Sequence, residues 1–471
     1  MSRNDFFVFW VVILVLPCTI QVYGQVESSE IQHTENESAL YESPLGLEEA
    51  ILQQTNLSGV GLTVINEDPF FRMQLQPEVN LGKIGFGLGF VVLYKPGAEN
   101  DEDKILTEDA ENWDNPSSYL RTVRYVRFGH LGDSFYTRFG ELDYVTIGYG
   151  FIMSGYSNHD RRGIRLNLSN DTKKYGVETV INNVQNPTVF GGRTYIRPLQ
   201  KEHESAILNR LEFGGTYLTD IDPSWGNQNE DPLVALGVDV GLPIIHNRLM
   251  RVNLYDEIAF LNTKPTSDSS GMIELASGNA IGIDLSIFQA LFKVEYRTFG
   301  EAFRPTIFDY TYDAAKANVP DFLGKDTDTQ IDGPGRGFFS LLAWRPTPMV
   351  HLLGTFEDYN TTEPKLYIGV TESGLVDKMS FRAFYVKRNI GKPDAGYPDG
   401  LGSKDPLFFE DLFRLDEKSA FTVRIGYEAY APIEVAVIRE YRFRQVEKPE
   451  GNFGFEPIRK TTVEVGVNLQ F

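Results

Sequence analysis

Hydrophobic and polar residues alternate along most of this chain with a period of two. The pattern is clearest in residues 462–471, TVEVGVNLQF, where Val, Leu and Phe share one face and Thr, Glu, Gly, Asn and Gln share the other. The same alternation recurs in residues 84–94, 164–168, 234–240, 281–287, 292–297 and 421–427. Successive side chains of a strand point to opposite faces of a sheet, so the pattern predicts strands with one apolar and one polar face.

The length of these strands and the charge on their polar face favour a membrane barrel over a soluble sandwich, which would also alternate. Alternating runs cover residues 83–94, 249–261 and 433–444, and a pair of strands is predicted in residues 271–299. Soluble strands average about five or six residues, whereas tilted spanning strands need roughly nine to eleven. Aromatic residues at strand ends are predicted to form interfacial girdles: Tyr94, Tyr149, Tyr296, Trp344, Tyr427, Tyr441 and Phe443.

We therefore predict an all-β fold, a transmembrane antiparallel up-and-down β-barrel formed by residues 57–471. The alternating runs number on the order of 16 to 20, and single-chain bacterial barrels usually have even numbers of strands, so we expect about 18 strands, with 16 as the near alternative. With both chain ends on the periplasmic side, the turns on that side are predicted at residues 77–82, 371–378 and 429–432. The long extracellular loops are predicted at residues 96–118, 220–232, 301–336 and 389–418.

The first 24 residues are predicted to be a cleaved signal peptide. Arg3 precedes an apolar core, FFVFWVVILVLPCTI, and Gly24 supplies a small residue before Gln25. The alternative is an N-terminal membrane anchor, although the run is shorter than the roughly 20 residues that a span prefers. Cys18 raises the question of a lipoprotein, which Pro17 disfavours. Cleavage after Gly24 would leave a chain with no cysteine, and therefore with no disulfide and no thiolate metal site.

Residues 25–56 are polar and acidic, and we expect a flexible periplasmic segment. Within it, residues 45–54, LGLEEAILQQ, could form a short helix with its apolar residues on one face. Such a helix is either part of a linker or a plug for the barrel.

Composition narrows the function classes. Mean hydropathy is −0.25, and no apolar run after the first twenty residues approaches the roughly 18 that a spanning helix needs. Acids outnumber bases 65 to 44, for a net charge of −21, which argues against a nucleic-acid partner. Neither G-x-S-x-G nor H-E-x-x-H occurs, and the six histidines are scattered. We expect no enzyme activity, no cofactor and no metal site. Ser340 and His351, on neighbouring predicted strands, would both face the lumen, which weakens a phospholipase-like pair.

The terminal strand resembles the C-terminal recognition strand of bacterial outer-membrane β-barrel proteins, a porin-like superfamily. The residues that carry the resemblance are Val463, Val465, Val467, Leu469 and Phe471. Residues 125–158 also resemble segments of uncharacterised outer-membrane barrels. The resemblance implies export to the outer membrane of a Gram-negative-type bacterium, contact with its lipid, and assembly by the machinery that reads this strand.

The polar faces of the predicted strands supply the candidate selectivity residues. Rings of bases favour anions, rings of acids favour cations, and opposed rows align dipolar solutes; alternatively, the charges only pair across strands. The predicted inward bases are Arg72, Arg138, Arg165, Arg210, Arg251, Arg297, Arg382, Arg424, Arg442 and Arg444. The predicted inward acids are Glu178, Glu212, Asp239, Glu257, Asp284, Glu295, Glu428, Glu434, Glu440 and Glu464.

Three function classes follow. The first is a channel for passive diffusion of small hydrophilic solutes, with a constriction made by inward charges and by the folded-in loop 301–336. Inward Tyr136, Tyr144 and Tyr367 could then form a track for sugars. The second is a transporter of hydrophobic substrates resembling the fatty-acid transport barrels, with residues 45–54 as the plug. The third is a barrel that transports nothing, such as a surface adhesin, a secretion scaffold or a barrel enzyme.

Overall fold

The computed structural model describes residues 57–468, with gaps in the loops and turns. The gaps are residues 66–67, 76–77, 96–104, 107–119, 121, 143, 159–160, 201–206, 224–231, 248, 264–273, 301–302, 310–311, 313–333, 348, 362–363, 388–389, 392–407, 416–418, 431–432 and 448–452. The predictions for residues 1–24 and 25–56, and for Leu469 and Phe471, lie outside the described residues. No helix of the described part is long and apolar enough to cross a membrane.

The described chain is almost entirely β-strand. The strands are β1 (Leu57–Ile65), β2 (Asp68–Leu75), β3 (Glu78–Leu81), β4 (Ile84–Leu88), β5 (Phe90–Tyr94), β6 (Ile105–Leu106), β7 (Val123–Phe128), β8 (Phe135–Gly140), β9 (Val145–Ile147), β10 (Met153–Tyr156), β11 (Gly163–Ser169), β12 (Tyr175–Ile181), β13 (Val189–Ile196), β14 (Glu212–Asp220), β15 (Leu233–His246), β16 (Met250–Thr263), β17 (Glu274–Ile287), β18 (Ala290–Phe299), β19 (Gly335–Thr347), β20 (Val350–Tyr359), β21 (Lys365–Ser373), β22 (Met379–Lys387), β23 (Ser419–Tyr430), β24 (Ile433–Glu447) and β25 (Phe453–Asn468). A 3-10 helix covers Ile207–Arg210, and a short helix, α1, covers Phe408–Leu412.

These strands form an antiparallel barrel. A single sheet contains 23 of them, and pairing of β1 with β25 joins its two ends. Three positions each hold two collinear segments (β2 with β3, β4 with β5, and β6 with β7), so the strands fill twenty positions around the ring. The barrel class predicted from the sequence is confirmed, and the strand number of 18 is wrong. Alternation does not mark where one strand ends when a turn is as short as Gly82–Lys83, so runs are easily merged.

The two faces of the barrel differ as the alternation predicts. In β25, Val463 and Val465 expose 44% and 43% of their surface, whereas Thr462 and Glu464 expose 1% and 4%. The exposed residues of the strands are mostly Val, Ile, Leu, Phe and Tyr, and most buried inward positions are polar, charged or small. An apolar outside and a charged inside match a barrel that spans a lipid bilayer.

The long connections lie mainly at the end of the barrel away from Leu57 and Asn468. Of the predicted loops, 220–232 lies between β14 and β15 and 301–336 ends where β19 begins. Loop 96–118 additionally contains β6, and loop 389–418 contains α1. The predicted turn at 77–82 needs correction, because β3 occupies most of it and the turn falls at Gly82–Lys83.

Candidate functional site

Two connections run into the interior of the barrel. The first, which we call the inserted hairpin, comprises residues 142–158 and contains the separate two-stranded sheet β9–β10. The second, the inserted strap, comprises residues 303–309 and Tyr312. A parallel bridge joins Met153 to Phe308, and the backbone N–H groups of Ser154 and Phe308 donate across it. The two segments therefore form one body inside the barrel.

A hydrophobic core attaches this body to the wall. The inserted residues include Leu142, Ile147, Phe151, Tyr156, Phe303 and Phe308, all at most 1% exposed. Their partners on the wall are inward residues of neighbouring strands: Val180, Val189, Leu218, Leu233, Ala235, Ala259, Leu261, Ala280, Phe299 and Tyr359. The apolar part of the interior is thus filled by the chain itself.

Small wall residues make room for the hairpin. Inward positions of β15 to β17 carry Gly237, Gly241 and Gly278, and Ala259 lies between Gly237 and Gly278 on the neighbouring strands. A Cβ atom at Gly241 would lie 1.7 Å from the Tyr149 hydroxyl oxygen, and one at Gly278 would lie 2.6 Å from the Phe303 ring. Larger residues at these positions would push the inserted body away from the wall.

Asn158 fixes both ends of the hairpin. Its Oδ1 accepts from the N–H of Leu142 at 2.8 Å, and its Nδ2 donates to the carbonyl oxygens of Gly140 and Asn182 at 3.3 and 2.9 Å. The residue is 1% exposed. One side chain therefore joins the end of β8, the start of the hairpin and the end of β12.

The tip of the hairpin, residues 148–151, meets polar side chains of the wall. The N–H of Gly148 donates to Glu178 at 3.2 Å, and that of Phe151 donates to Glu257 at 3.3 Å. Lys293 Nζ donates to the carbonyl oxygen of Tyr149. Burial raises the pKa of Tyr149 above its usual range, so this hydroxyl stays protonated.

Glu295 and Arg297 hold the wall behind the tip. Both are 0% exposed, and their charged groups meet at 2.5 Å. Glu295 also accepts from the Tyr255 hydroxyl at 2.6 Å and pairs with Lys293 at 3.1 Å. Arg297 donates to Thr306 Oγ1 of the inserted strap at 2.9 Å and to the Tyr359 hydroxyl at 2.8 Å. This network links β16, β18 and β20 to the strap.

A cavity of about 370 Å³ lies beside the hairpin tip. Its charged lining residues are Asp133, Arg165, Lys173, Glu178, Arg193, Arg197, Glu212, Arg251, Asp284 and Lys293. Several are already paired: Arg193 contacts both Glu212 and Asp239 within 2.6 Å, and Arg197 contacts Glu212 at 2.5 Å. Asn167 Oδ1 and His246 Nε2 are buried in the lining without a hydrogen-bond partner among the described residues. The cavity can therefore offer hydrogen bonds and both signs of charge to a polar guest.

Arginines face each other across adjacent strands at two places. Arg138 of β8 lies directly opposite Arg127 of β7 and Arg165 of β11, and all three are buried. Arg382 and Arg424 form the second pair, where Arg424 also contacts Glu434 at 2.9 Å. Like charges directly opposite each other repel, so the row of Arg127, Arg138 and Arg165 attracts negative charge. At the second place Arg424 already pairs with Glu434.

The predicted site residues divide into two groups. The first group is buried on the inward face and consists of Arg138, Arg165, Arg297, Arg424, Glu212, Asp239 and Glu295. The second group is half-buried at inward positions and consists of Arg72, Arg251, Arg382, Glu178, Asp284 and Glu428. Arg210 is a correction, because it ends the 3-10 helix between β13 and β14 instead of lying on a strand. The side chains of Arg442 and Arg444 lie outside the described part.

Two further expectations are corrected. Tyr149 was predicted in an aromatic girdle but lies at the hairpin tip inside the barrel. Ser340 lies between Phe339 and Leu341, which face inward, so Ser340 itself faces outward. His351 is two residues from the inward-facing Leu353 and therefore faces inward, as predicted. Sequence reasoning missed Lys293, Arg193 and Arg197 as lining residues. The loss of alternation after Gly140 was the available signal for the inserted hairpin.

A barrel with an apolar exterior and a charged interior has the architecture of outer-membrane β-barrel proteins, and this chain has that architecture. No family model and no curated protein matches the chain. Among solved structures it is similar to the ferric-catecholate import receptor Fiu of E. coli K12, at 9% identity and a TM-score of 0.34, over 88% of this chain and 81% of that one. It is also similar to OccK2 (OpdF) of Pseudomonas aeruginosa in complex with glucuronate, at 10% identity and a TM-score of 0.33, over 87% and 95% of the two chains. For OprD of the same organism, identity is 8%, the TM-score is 0.28 and coverage is 87% and 92%.

No group of three or more His, Cys, Asp or Glu side chains is placed to hold a metal ion within the described ranges.

Proposed function

We propose that this protein is an outer-membrane channel for small hydrophilic solutes, with a constriction formed by the inserted hairpin. The observation that carries the proposal is the polar cavity beside the hairpin tip, inside a barrel whose exterior is apolar. A barrel of this size has an interior wide enough for an aqueous path. The hairpin and the strap occupy part of that width, so passage depends on how a solute fits beside them.

The chemistry of the lining favours hydrophilic solutes over hydrophobic ones. Ten charged side chains reach the cavity, and the apolar surface of the hairpin is packed against the wall. A hydrophobic substrate would have to displace hydration from these charges without replacing it. For this reason we prefer a hydrophilic channel to a transporter that resembles the fatty-acid transport barrels.

The constriction selects by charge as well as by size. Arginines of β7, β8 and β11 lie side by side, and Arg165 of this row donates to the carbonyl oxygen of Thr146 in the hairpin, while Glu178 and Asp284 line the cavity at its tip. Opposed charges impose a transverse field that orients a dipolar solute, and the arginine row adds attraction for anionic groups. We infer a channel that favours anionic and zwitterionic solutes.

The cellular setting is part of the proposal. We infer that residues 1–24 are removed on export, that the barrel resides in the outer membrane of a Gram-negative-type bacterium, and that assembly machinery reads its last strand. The protein needs no cofactor and catalyses no reaction in this account. N-terminal sequencing of the exported protein tests the first inference, and the expected first residue is Gln25.

Swelling of liposomes that contain the refolded protein tests the channel directly. We expect swelling in small sugars and in amino acids, faster uptake of glutamate than of lysine, and no swelling in large oligosaccharides. Liposomes with heat-denatured protein are the control. Folded protein that leaves liposomes impermeable to every one of these solutes contradicts the proposal and favours a surface adhesin or secretion scaffold.

A further inference from the structure

One row of side chains on the outer face of the barrel is covered by protein. Phe356, Leu366, Lys387 and Ser419 are direct neighbours on β20, β21, β22 and β23. All four face outward, because side chains alternate along a strand and the adjacent residues Glu357, Tyr367 and Val386 face inward. The row lies at the strand ends away from Leu57 and Asn468. Outward residues elsewhere on these strands, such as Ile368 and Ile425, are exposed.

The cover is α1 with the residues after it, which we call the outer helix segment, residues 408–415. Asp411 pairs with Lys387 at 3.3 Å, and both side chains are 0% exposed. The N–H of Gly391 donates to Asp411 Oδ2 at 2.8 Å, and the Tyr385 hydroxyl donates to the carbonyl oxygen of Leu412. Leu366, Ile390 and Leu412 form a small apolar cluster beneath the helix. The segment is therefore docked on the outside of the wall at a fixed place.

The opposite side of the segment presents large apolar side chains. Phe409, Phe413 and Leu415 expose 44%, 74% and 48% of their surface. Phe409 lies in α1, and Phe413 and Leu415 lie within the three residues that follow it. Exposed Phe and Leu at this density mark a surface that has a partner.

We propose that the outer helix segment docks into the membrane, with Phe409, Phe413 and Leu415 among the acyl chains of the outer leaflet. The surface that they form continues the apolar outer face of the barrel, through residues such as Ile368 and Ile425. The ion pair supports the same partner. A charged side chain on the lipid face of a barrel is destabilising, and Asp411 neutralises Lys387 at that face.

This inference rests on the proposed membrane location of the barrel. Single cysteines at Phe413 and at Phe409, in a Cys18→Ser chain, can carry spin labels whose collisions with oxygen and with a water-soluble nickel chelate are compared in a lipid bilayer. Ile425→Cys, on an outward strand position, is the lipid control. Asn186→Cys, in the exposed connection between β12 and β13, is the water control.

We expect labels at Phe413 and Phe409 to collide with oxygen several-fold more than with the chelate, as at Ile425. Chelate collisions like those at Asn186, with Ile425 still in lipid, would overturn the inference and leave the channel proposal standing. A label at Phe413 shielded from both reagents would also overturn it, in favour of a protein partner such as a second copy. Chelate collisions at Ile425 would overturn the membrane location itself.

The ion pair gives a second arm of the same experiment. Asp411→Asn should release the segment and raise chelate collisions at Phe413 several-fold. Glu410→Gln removes an exposed neighbouring carboxylate and should change nothing. Equal effects of the two substitutions, or no effect of Asp411→Asn, would contradict the docking by Asp411.

Discussion

Tyr149 of the inserted hairpin stacks on Tyr255 of the barrel wall, with ring centroids 4.2 Å apart and planes inclined by 5°. The Tyr255 hydroxyl in turn donates to Glu295, the partner of Arg297. The position of the hairpin tip is therefore set by the wall of β16 and β18 as well as by its own clamp at Asn158. In the proposed channel, a tip fixed in this way would give the constriction a constant width.

Removal of this stack should widen the path. A stacked aromatic pair contributes about 0.5–1.5 kcal/mol beyond its buried area, so Tyr149→Ala should loosen the tip and empty the space of one ring. We expect a larger single-channel conductance with an unchanged yield of folded barrel. Tyr149→Phe keeps the ring and should conduct like the original protein. Equal conductance of the alanine and phenylalanine variants would show that the stack does not limit passage.

The fit of the hairpin against the wall can be tested with a single methyl group. Gly241→Ala places a Cβ atom 1.7 Å from the Tyr149 hydroxyl, so the tip must move. Gly215→Ala is the matched control, since nothing lies within 4 Å of its added Cβ atom. We expect altered and noisier conductance only for Gly241→Ala. The same behaviour from both variants would argue against the close approach of Tyr149 to β15.

Arg297 should matter for stability. Loss of one partner from a buried ion pair costs about 3–5 kcal/mol, because the remaining charge stays buried and uncompensated. Arg297→Met should therefore lower the temperature at which the folded band converts to the unfolded band on a gel. The double variant Glu295→Gln with Arg297→Met should recover part of the loss. A single variant as stable as the original protein would contradict the role assigned to this pair.

The arginine row should set ion preference. Arg138→Gln and Arg165→Gln each remove one inward positive charge, so the reversal potential in a salt gradient should move toward cation selectivity in both. Arg336→Gln removes a charge from the exposed end of β19 and should leave the reversal potential unchanged. A shift of equal size from all three substitutions would assign selectivity to the overall charge of the protein.

The role of the terminal strand as the signal for assembly remains a prediction. Val463 and Val465 face outward in β25, and the strand closes the barrel against β1. Deletion of Phe471 should reduce the amount of folded barrel in the outer membrane. Quantification of heat-modifiable protein in membrane fractions gives the result, and normal yield would argue against recognition of this strand.

The barrel could be predicted from the sequence because alternation is a local property. Each outward Val, Ile or Leu between two inward polar residues reports its own face, as Val463 and Val465 do around Glu464. The number of strands is less local, since a short turn such as Phe288–Gln289 leaves the alternation almost unbroken. The wrong face predicted for Ser340 has a similar origin. Ser340 is polar, yet its apolar neighbours Phe339 and Leu341 are the residues that face inward, against the inserted body.

The inserted hairpin could not be derived from the sequence for a physical reason. Inside this barrel, Phe151 and Phe303 are core residues that pack against inward glycine and alanine. Their hydrophobicity has no strand period, and a membrane barrel is expected to be polar inside. The folded-in part of loop 301–336 was expected as a constriction. Residues 142–158 form the larger part of the inserted body. Their position depends on contacts between residues up to about 150 positions apart, such as Lys293 with Tyr149.

In the proposed channel, a water-filled path passes the inserted hairpin. Single-channel conductance in a planar bilayer tests it most directly, for the original protein and for a variant in which residues 145–156 are replaced by a short Gly/Ser linker. We predict steady steps for the original protein and steps several-fold larger for the variant, with both proteins folded and heat-modifiable. Steps of equal size, or no steps from either folded protein, would contradict the account.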